Sequence, residues 1–218
     1  LALGGASWPR LGSDANWLNI INKHAIKTFP FKPSNCGFNV DWSNTFKFRF
    51  SGVPVKSCKL SVGGNEAFGD FNITDYGIEG GVIYFHSRKI QNEIAKTGHA
   101  IIKIDLIPRK NTVDLLEQIS KARGKNTLTN HLRKTAKLNG VKTGLLREFT
   151  QPEDLKVATH LVDAIKSIKI RITESQPIDR AISSSGGISF KELDEKLMIT
   201  KIPGVFASGE MLNWDAPT

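Results

Sequence analysis

Three glycine-rich segments that lie far apart in the sequence carry the residue types best suited to holding a ligand. The first, Gly4-Gly5, follows apolar residues; the second is Ser183–Gly187; the third is Pro203–Glu210. Glycine lets the backbone approach a ligand closely and leaves amides available to an anion. A carboxylate at the end of a buried strand, as at Glu210, can accept hydrogen bonds from a ribose-like hydroxyl chain. Taken singly, each signal is weak, because a plain loop or a strand-end surface glutamate is the more common case.

Other reactive residue types are present without a supporting motif. The histidines show no HExxH or other metal-ligand spacing, so no metal site is expected; they are His24, His86, His99, His131 and His160. The two cysteines, Cys36 and Cys58, are too few for a disulfide scaffold. We expect reduced thiols in a cytoplasmic protein, with no catalytic role because no neighbouring motif supplies a base.

A basic stretch between residues 121 and 147 gives a second class of hypothesis. The chain has a net charge of +9, and no acidic residue lies between Gln118 and Arg147. Three explanations stay open: a solvated basic face, a site for a phosphate-bearing substrate or nicotinamide dinucleotide, and a nucleic-acid-binding module. We favour the solvated face, with the phosphate site second, since the stretch lacks clustered aromatic residues for base stacking.

The hydrophobic pattern indicates strands, then a helical segment, then strands again. Alternation over Thr45–Val62 predicts two half-buried strands, with Phe46, Phe48 and Phe50 on one face. A helix over Val82–Lys96, ended by Gly98, and a strand over His99–Leu106 follow. Helical periodicity then runs from residue 111 to about 165, before Ile168, Ile170 and Ile172 alternate again. No apolar run approaches the ~20 residues of a membrane span.

Two local expectations add detail. The residues Thr150–Glu153 have capping-box spacing with proline at the first helical position, which predicts a helix start.

Leu1–Leu3 and Val205–Ala207 resemble short buried strands followed by glycine, and we expect them to lie side by side and parallel. Because the sequence opens in strand-like residues and closes in polar loop residues, both ends are expected to be cut.

Together the three segments resemble a known family, the bacterial flavoproteins that include aminoacetone oxidase and the bile-acid-inducible flavoprotein. The resemblance covers nearly the whole chain. It rests on ALGGASWPRLGSD (residues 2–14), NCGF (35–38), RGKNTLTNHLRK (123–134), PIDRAISSSGGI (177–188) and PGVFASGEMLNWDAPT (203–218). The sequence departs from the family pattern at Ala15 and Asn16, where glycine is usual, and at Asn213, where aspartate is usual.

The resemblance implies an internal piece of an FAD-dependent oxidoreductase. In the family the GxGxxG fingerprint that holds the pyrophosphate lies in an amino-terminal half, and this sequence has no such fingerprint. FAD is therefore expected in the full-length parent but not retained by this chain. The segments that line the flavin are implied to include Gly4, Gly5, Gly186, Gly187, Gly209 and Glu210. Catalytic residues cannot be assigned.

The expected fold is α+β: a β-barrel-like subdomain with an inserted helical bundle, plus a partial fringe of a parallel FAD-binding sheet. The expected divisions are 1–28 (FAD-domain fringe), 29–110 (β-rich), 111–166 (helical), 167–182 (return strand) and 183–218 (FAD-domain fringe). The expected partner is the remainder of the FAD-binding domain. Whether NAD(P)H is used is left open, the substrate and the electron acceptor are unknown, and neither a membrane nor nucleic acid is expected.

Overall fold

The computed structural model describes residues 1–215, which divide into two compact units. One comprises Leu1–Gly37 with the chain from Ser175 onward, and the other is Phe38–Glu174. The helices are α1 (Leu18–Lys23), α2 (Asn44–Phe50), α3 (Gly81–Thr97), α4 (Thr112–Ile119), α5 (Leu128–Thr135), α6 (Gly140–Phe149) and α7 (Ala158–Lys166). The strands are β1 (Thr28–Pro33), β2 (Phe38–Asn39), β3 (Pro54–Val62), β4 (Asn65–Ile73), β5 (Gly77–Glu79), β6 (Ala100–Asp105), β7 (Ile168–Ile172) and β8 (Ser184–Ile188).

The unit Phe38–Glu174 is built on a nearly closed, barrel-like antiparallel sheet. Its six strands follow the order β2-β5-β4-β3-β6-β7. The chain leaving β7 returns to β2, where the amide of Asn39 donates to the carbonyl of Glu174 at 3.0 Å. Alternate residues of β7 are buried, namely Ile168, Ile170 and Ile172. The expected α+β fold with a barrel-like β part is confirmed.

An irregularity in β3 explains how its apolar residues reach one face. Val55 is an odd-numbered position, whereas Cys58, Leu60 and Val62 are even, yet all four are buried. The register shifts between Val55 and Cys58, and Ser57 adopts a positive φ of 52°. A bulge of this kind inserts a residue and changes which side chains face inward.

Helix α3 follows the expected boundaries closely. It packs against β3, β4 and β6 through Val82, Ile83 and Ile90. It ends at Gly98, which adopts the left-handed conformation at φ 77° and donates its amide to Ile94. A glycine at this position ends a helix without strain.

The first of the two strands expected over Thr45–Val62 is wrong, because Asn44–Phe50 forms helix α2. The hydroxyl of Ser43 accepts a hydrogen bond from the amide of Phe46, which caps the helix amino terminus. Phe46 and Phe50 stack four residues apart, with ring centroids 5.0 Å apart. Phe46 is only 3% exposed, whereas Phe48 is 92% exposed. Capping and aromatic packing thus override the alternating pattern.

The helices α4 to α7 lie between β6 and β7, which pair directly with each other. The side chains of Asn111 and Thr127 cap α4 and α5 by accepting from backbone amides. The capping box expected at Thr150–Glu153 is wrong: Thr150 follows the end of α6 in extended conformation, and a 3-10 turn, Asp154–Lys156, precedes α7. No helix of residues 1–215 has both the length and the apolar composition of a membrane span.

The other unit contains the antiparallel pair β1 and β8 and a small apolar core. Its buried core residues are Trp17, Ile21, Ile26, Ile188, Ile199, Ala207, Met211 and Leu212. Residues 216–218, which end the expected 183–218 segment, lie outside the described residues.

The two segments expected to form parallel strands are adjacent but irregular. The terminal amino group of Leu1 donates to the carbonyl of Phe206, and the amide of Ser208 donates to the carbonyl of Leu1 at 3.0 Å. Leu1 is thus bonded to both neighbours of Ala207, which is the parallel pattern, but this pairing is limited to one residue and does not extend to the expected strands. The expected strands themselves are wrong: Leu1–Leu3 is irregular backbone, and Leu1 and Leu3 are 51% and 48% exposed.

Candidate functional site

Three segments that are distant in sequence meet around the hydroxyl and amide of Ser184. The amide of Ala6 donates to Ser184 Oγ at 2.9 Å, and the amide of Ser184 donates to Glu210 Oε1 at 3.2 Å. A Cβ atom added at Gly5 would lie 2.0 Å from Ser184 Oγ and 2.8 Å from Glu210 Oε2. A side chain at position 5 would therefore displace the Ser184 hydroxyl and the Glu210 carboxylate from these positions.

The two glycines of β8 are fixed by close backbone packing. Gly186 and Gly187 have φ values of 127° and 100°, which strongly favour glycine. A Cβ at Gly186 would lie 2.6 Å from the carbonyl oxygen of Pro30. A Cβ at Gly187 would lie 2.2 Å from the carbonyl oxygen of Met211. This strand is held between β1 and the chain that follows Glu210.

The remaining candidate glycines occupy turns. Gly4 has a φ of 76° and its carbonyl accepts a hydrogen bond from Trp17 Nε1 at 3.0 Å. Gly209 has a φ of 70°, and a Cβ added there would meet no atom within 4 Å. Gly209 therefore needs glycine for its backbone conformation, and the space beside it is open. Among the candidate glycines with positive φ, Gly4, Gly186 and Gly187 have other atoms of the chain within 4 Å of an added Cβ, whereas Gly209 has none.

Glu210 is the one charged group among the candidate site residues. It is half-buried, and the amide of Ser184 holds one of its oxygens in place. A carboxylate fixed in this way retains lone pairs that can accept hydrogen bonds from hydroxyl groups of a ligand. The group can position a polyol, but the cluster adds no second titratable side chain that would make it an acid–base pair.

Sequence reasoning did not single out the residues that organise this cluster. Ser184 joins the three segments, and Trp17 ties the first glycine turn to the core. Ser183 accepts from the side-chain amide of Asn35 at 2.8 Å. The signal for Ser183 and Ser184 was their place in the segment Ser183–Gly187, which was noted for its glycines.

Several cations of the basic stretch, residues 121–147, have structural contacts. Lys142 Nζ donates to the carbonyls of Leu106 at 2.6 Å and Ser57 at 3.3 Å. Arg147 donates to the hydroxyl of Thr129 at 2.8 Å. These contacts connect helices to each other and to β3, and they lend no support to a nucleic-acid-binding role.

Two buried titratable groups of the barrel unit, Cys58 and His86, favour their neutral forms. Burial raises the pKa of the Cys58 thiol to about 11, and the nearby Lys142 charge only partly opposes this. Burial lowers the pKa of His86 below its usual value, against a hydrogen bond with the backbone of Leu60. No group of three or more histidine, cysteine or acidic side chains in residues 1–215 is placed to hold a metal ion.

Comparison with known protein families identifies the chain's family. A family model described as "HI0933-like protein barrel and H2TH domain" matches residues 32–183. The match spans most of the chain and includes the barrel-like sheet together with the helices inserted between β6 and β7. The chain thus belongs to the HI0933-like flavoprotein family, which is associated with FAD-dependent oxidoreductases.

Proposed function

We propose that this chain is part of an FAD-dependent oxidoreductase, in which the barrel and its helical insert cover the flavin and shape the substrate pocket. FAD would supply the electron chemistry, and the protein would supply binding, orientation and exclusion of water. Kinship with the aminoacetone oxidase branch is part of the proposal, on the strength of the sequence motifs. The substrate and the electron acceptor stay open, as does the use of NAD(P)H.

The observation that carries the proposal is the meeting of Gly5, Ser184 and Glu210. These residues come from the three segments that the flavoprotein resemblance singles out, and a side chain at position 5 would displace the Ser184 hydroxyl and the Glu210 carboxylate. The hydrogen bond from the Ser184 amide and the absence of a side chain at Gly5 give the Glu210 carboxylate a defined position. That is what a hydroxyl-binding group requires.

The residues present suit one part of FAD. The carboxylate of Glu210 is partly exposed and held by Ser184, so it can accept from hydroxyls of the ribityl or ribose groups. The open space beside Gly209 leaves its backbone accessible. The sequence contains no GxGxxG fingerprint to anchor the pyrophosphate. We therefore propose that these residues position FAD while another segment supplies most of the affinity.

The rest of the FAD-binding domain is the proposed partner of the unit that contains Glu210. This unit exposes many large apolar side chains, and such surfaces mark interaction sites. They are Leu1, Leu3, Trp8, Leu11, Ile20, Phe29, Ile182, Phe190, Phe206 and Trp214. Their number in so small a unit supports a surface that is covered in the full-length parent.

Flavin retention tests the proposal directly. The chain is purified with added FAD and desalted, and its visible spectrum is recorded. We expect no retained flavin for Leu1–Thr218 alone, whereas the full-length parent should purify yellow. Stoichiometric flavin on this chain alone would contradict the need for a separate pyrophosphate anchor. A colourless parent that takes up no FAD would contradict the function itself.

A substitution in the full-length parent tests the role of Glu210. Glu210→Gln removes the charged acceptor, and we expect FAD affinity to fall about tenfold because charge-assisted hydrogen bonds are lost. Glu195→Gln is the matched control, since it makes the same charge change at an exposed position of the same unit. Equal FAD affinities of the two variants would remove Glu210 from the flavin site.

A further inference from the structure

Two lysines face each other directly on the outer surface of the barrel. Lys103 of β6 is paired with Lys169 of β7 in the antiparallel register. The flanking residues Ile102, Ile168 and Ile170 are buried, so the two lysines project from the opposite, exposed face of the pair. Side chains in such a pair begin only about 5 Å apart, and like charges there are destabilising.

Neither lysine has a compensating partner within the chain. In residues 1–215, no hydrogen bond or ion pair reaches the ammonium group of Lys103 or Lys169. Arg171, two residues further along β7, adds a third exposed cation on the same face. The nearby Lys166 is different, because its ammonium group pairs with Asp105 at 2.5 Å.

These lysines form one wall of a cleft of about 700 Å³. The end of α6, the following turn and α7 also line the cleft, and they supply Thr150, Gln151 and His160. Asp154 Oδ1 lies 2.9 Å from His160 Nδ1, which leaves Nε2 as the ring nitrogen available to a ligand. The aromatic ring of Phe149 also lines the cleft.

We propose that this cleft binds the phosphate group of a small molecule, which neutralises the opposed charges of Lys103 and Lys169. The hydroxyl and amide groups of Thr150 and Gln151 add neutral donors, and His160 adds a further donor when protonated. Phosphate is the fitting anion because its oxygens can accept from several donors at once. This site lies in the barrel unit and shares no residue with the proposed flavin contacts.

The acidic side chain of Asp163 allows a substitution with the opposite expected effect on phosphate binding. Asp163 lines the cleft and, unlike Asp154, has no ionic partner in residues 1–215. Its negative charge opposes that of a bound phosphate. Removing the charge with Asp163→Asn should therefore tighten binding, whereas removing a lysine charge should weaken it. Opposite effects from two substitutions in one cleft do not follow from a loss of folding.

The experiment is an NMR titration of the full chain with inorganic phosphate at constant ionic strength, repeated with adenosine monophosphate. We expect saturable shifts at the amides around residues 103, 150, 160 and 169. Lys103→Gln and Lys169→Gln should each weaken binding about fivefold, as expected for the loss of one charged donor to a phosphate. Lys47→Gln, an equal charge change on exposed α2, is the control and should have no effect.

The two ligands distinguish the source of the phosphate. Tighter binding of the nucleotide, with shifts at Phe149, would identify a phosphate ester, and equal binding would identify free phosphate. Shifts that increase linearly without saturation, or that Lys47→Gln reduces as much as Lys103→Gln does, would overturn the proposal. So would a loss of binding in Asp163→Asn.

Discussion

Cys58 shows how burial decides the chemistry of a single residue. Cys58 lies on β3 with its side chain completely buried, and this burial raises its pKa to about 11. The reactive form of a cysteine is the thiolate. At neutral pH the fraction of Cys58 that is thiolate in the folded chain is therefore about a hundredfold smaller than for an ordinary cysteine, because its pKa is about two units higher.

Alkylation followed by mass spectrometry checks this expectation. Cys58 in the folded protein should react negligibly with iodoacetamide at neutral pH and react readily once the protein is unfolded in denaturant. Stability should follow the same pKa: between the ordinary value of 9.0 and about 11, the unfolded state releases the proton and the folded state keeps it. The free energy of unfolding should thus fall as pH rises through this range. Rapid modification of native Cys58 at neutral pH would refute the assignment.

At the scale of elements, α2 can be distinguished from the strand that its sequence pattern indicates. On a strand, Phe46 and Phe48 would share one face and one degree of burial. On the helix, Phe46 packs against Trp42 with ring centroids 4.7 Å apart, while Phe48 is exposed. Phe46→Ala should therefore lower the free energy of unfolding by about 3–5 kcal/mol. Phe48→Ala should change it by less than about 0.5 kcal/mol. Equal losses in urea denaturation would favour the strand.

A buried ion pair connects the end of β6 to the end of α7. Lys166 Nζ lies 2.5 Å from Asp105 Oδ2 and also donates to the carbonyls of Ile107 at 3.2 Å and Lys110 at 2.8 Å. Asp105 in turn accepts from the amide of Ile107 at 2.9 Å. The pair therefore fixes the loop that leads from the barrel into the helices.

Removing one partner of this pair should be costly. Lys166→Met leaves the Asp105 carboxylate buried without its charge partner, and we expect a loss of about 3 kcal/mol in the free energy of unfolding. Lys156→Met, at an exposed site just before α7, is the matched control and should be near neutral. The double variant Asp105→Asn with Lys166→Met should recover part of the loss. If Lys166→Met, Lys156→Met and the double variant all have the same Tm in thermal denaturation, the ion pair contributes no stability.

At the scale of the whole molecule, the sequence predicted the order of elements better than their junctions. Strong periodicity located α3, β6 and β7, because their buried faces are long and regular. The pattern failed at α2 and at Thr150–Glu153. There the conformation depends on capping and packing partners that are distant in sequence. Glu148, for example, accepts a hydrogen bond from the Ser43 amide at 2.5 Å. The candidate glycines were located by their motifs. The bonds of Ser184 to two distant segments had no sequence signal of their own.

The helical insert should be removable from the barrel. Ile104 pairs with Ile168, so the residues left after deletion of 111–166 can form the turn of a hairpin between β6 and β7. The deletion also removes Lys166, the charge partner of Asp105. The substitution Asp105→Asn is therefore included, so that no unpaired carboxylate is left buried. We expect the β-sheet signal in circular dichroism to persist with reduced stability, since α6 and α7 pack against the sheet. Loss of that signal would show that the barrel depends on the insert to fold.

The pairing of β6 with β7 across the whole insert also has a kinetic consequence. Bringing Ile104 to Ile168 closes a long loop, and the chain entropy of that closure must be lost before the pairing contributes any favourable energy. Helices that form first shorten the effective loop. We therefore expect α4 to α7 to gather early, and the β6–β7 pairing to be completed late in folding.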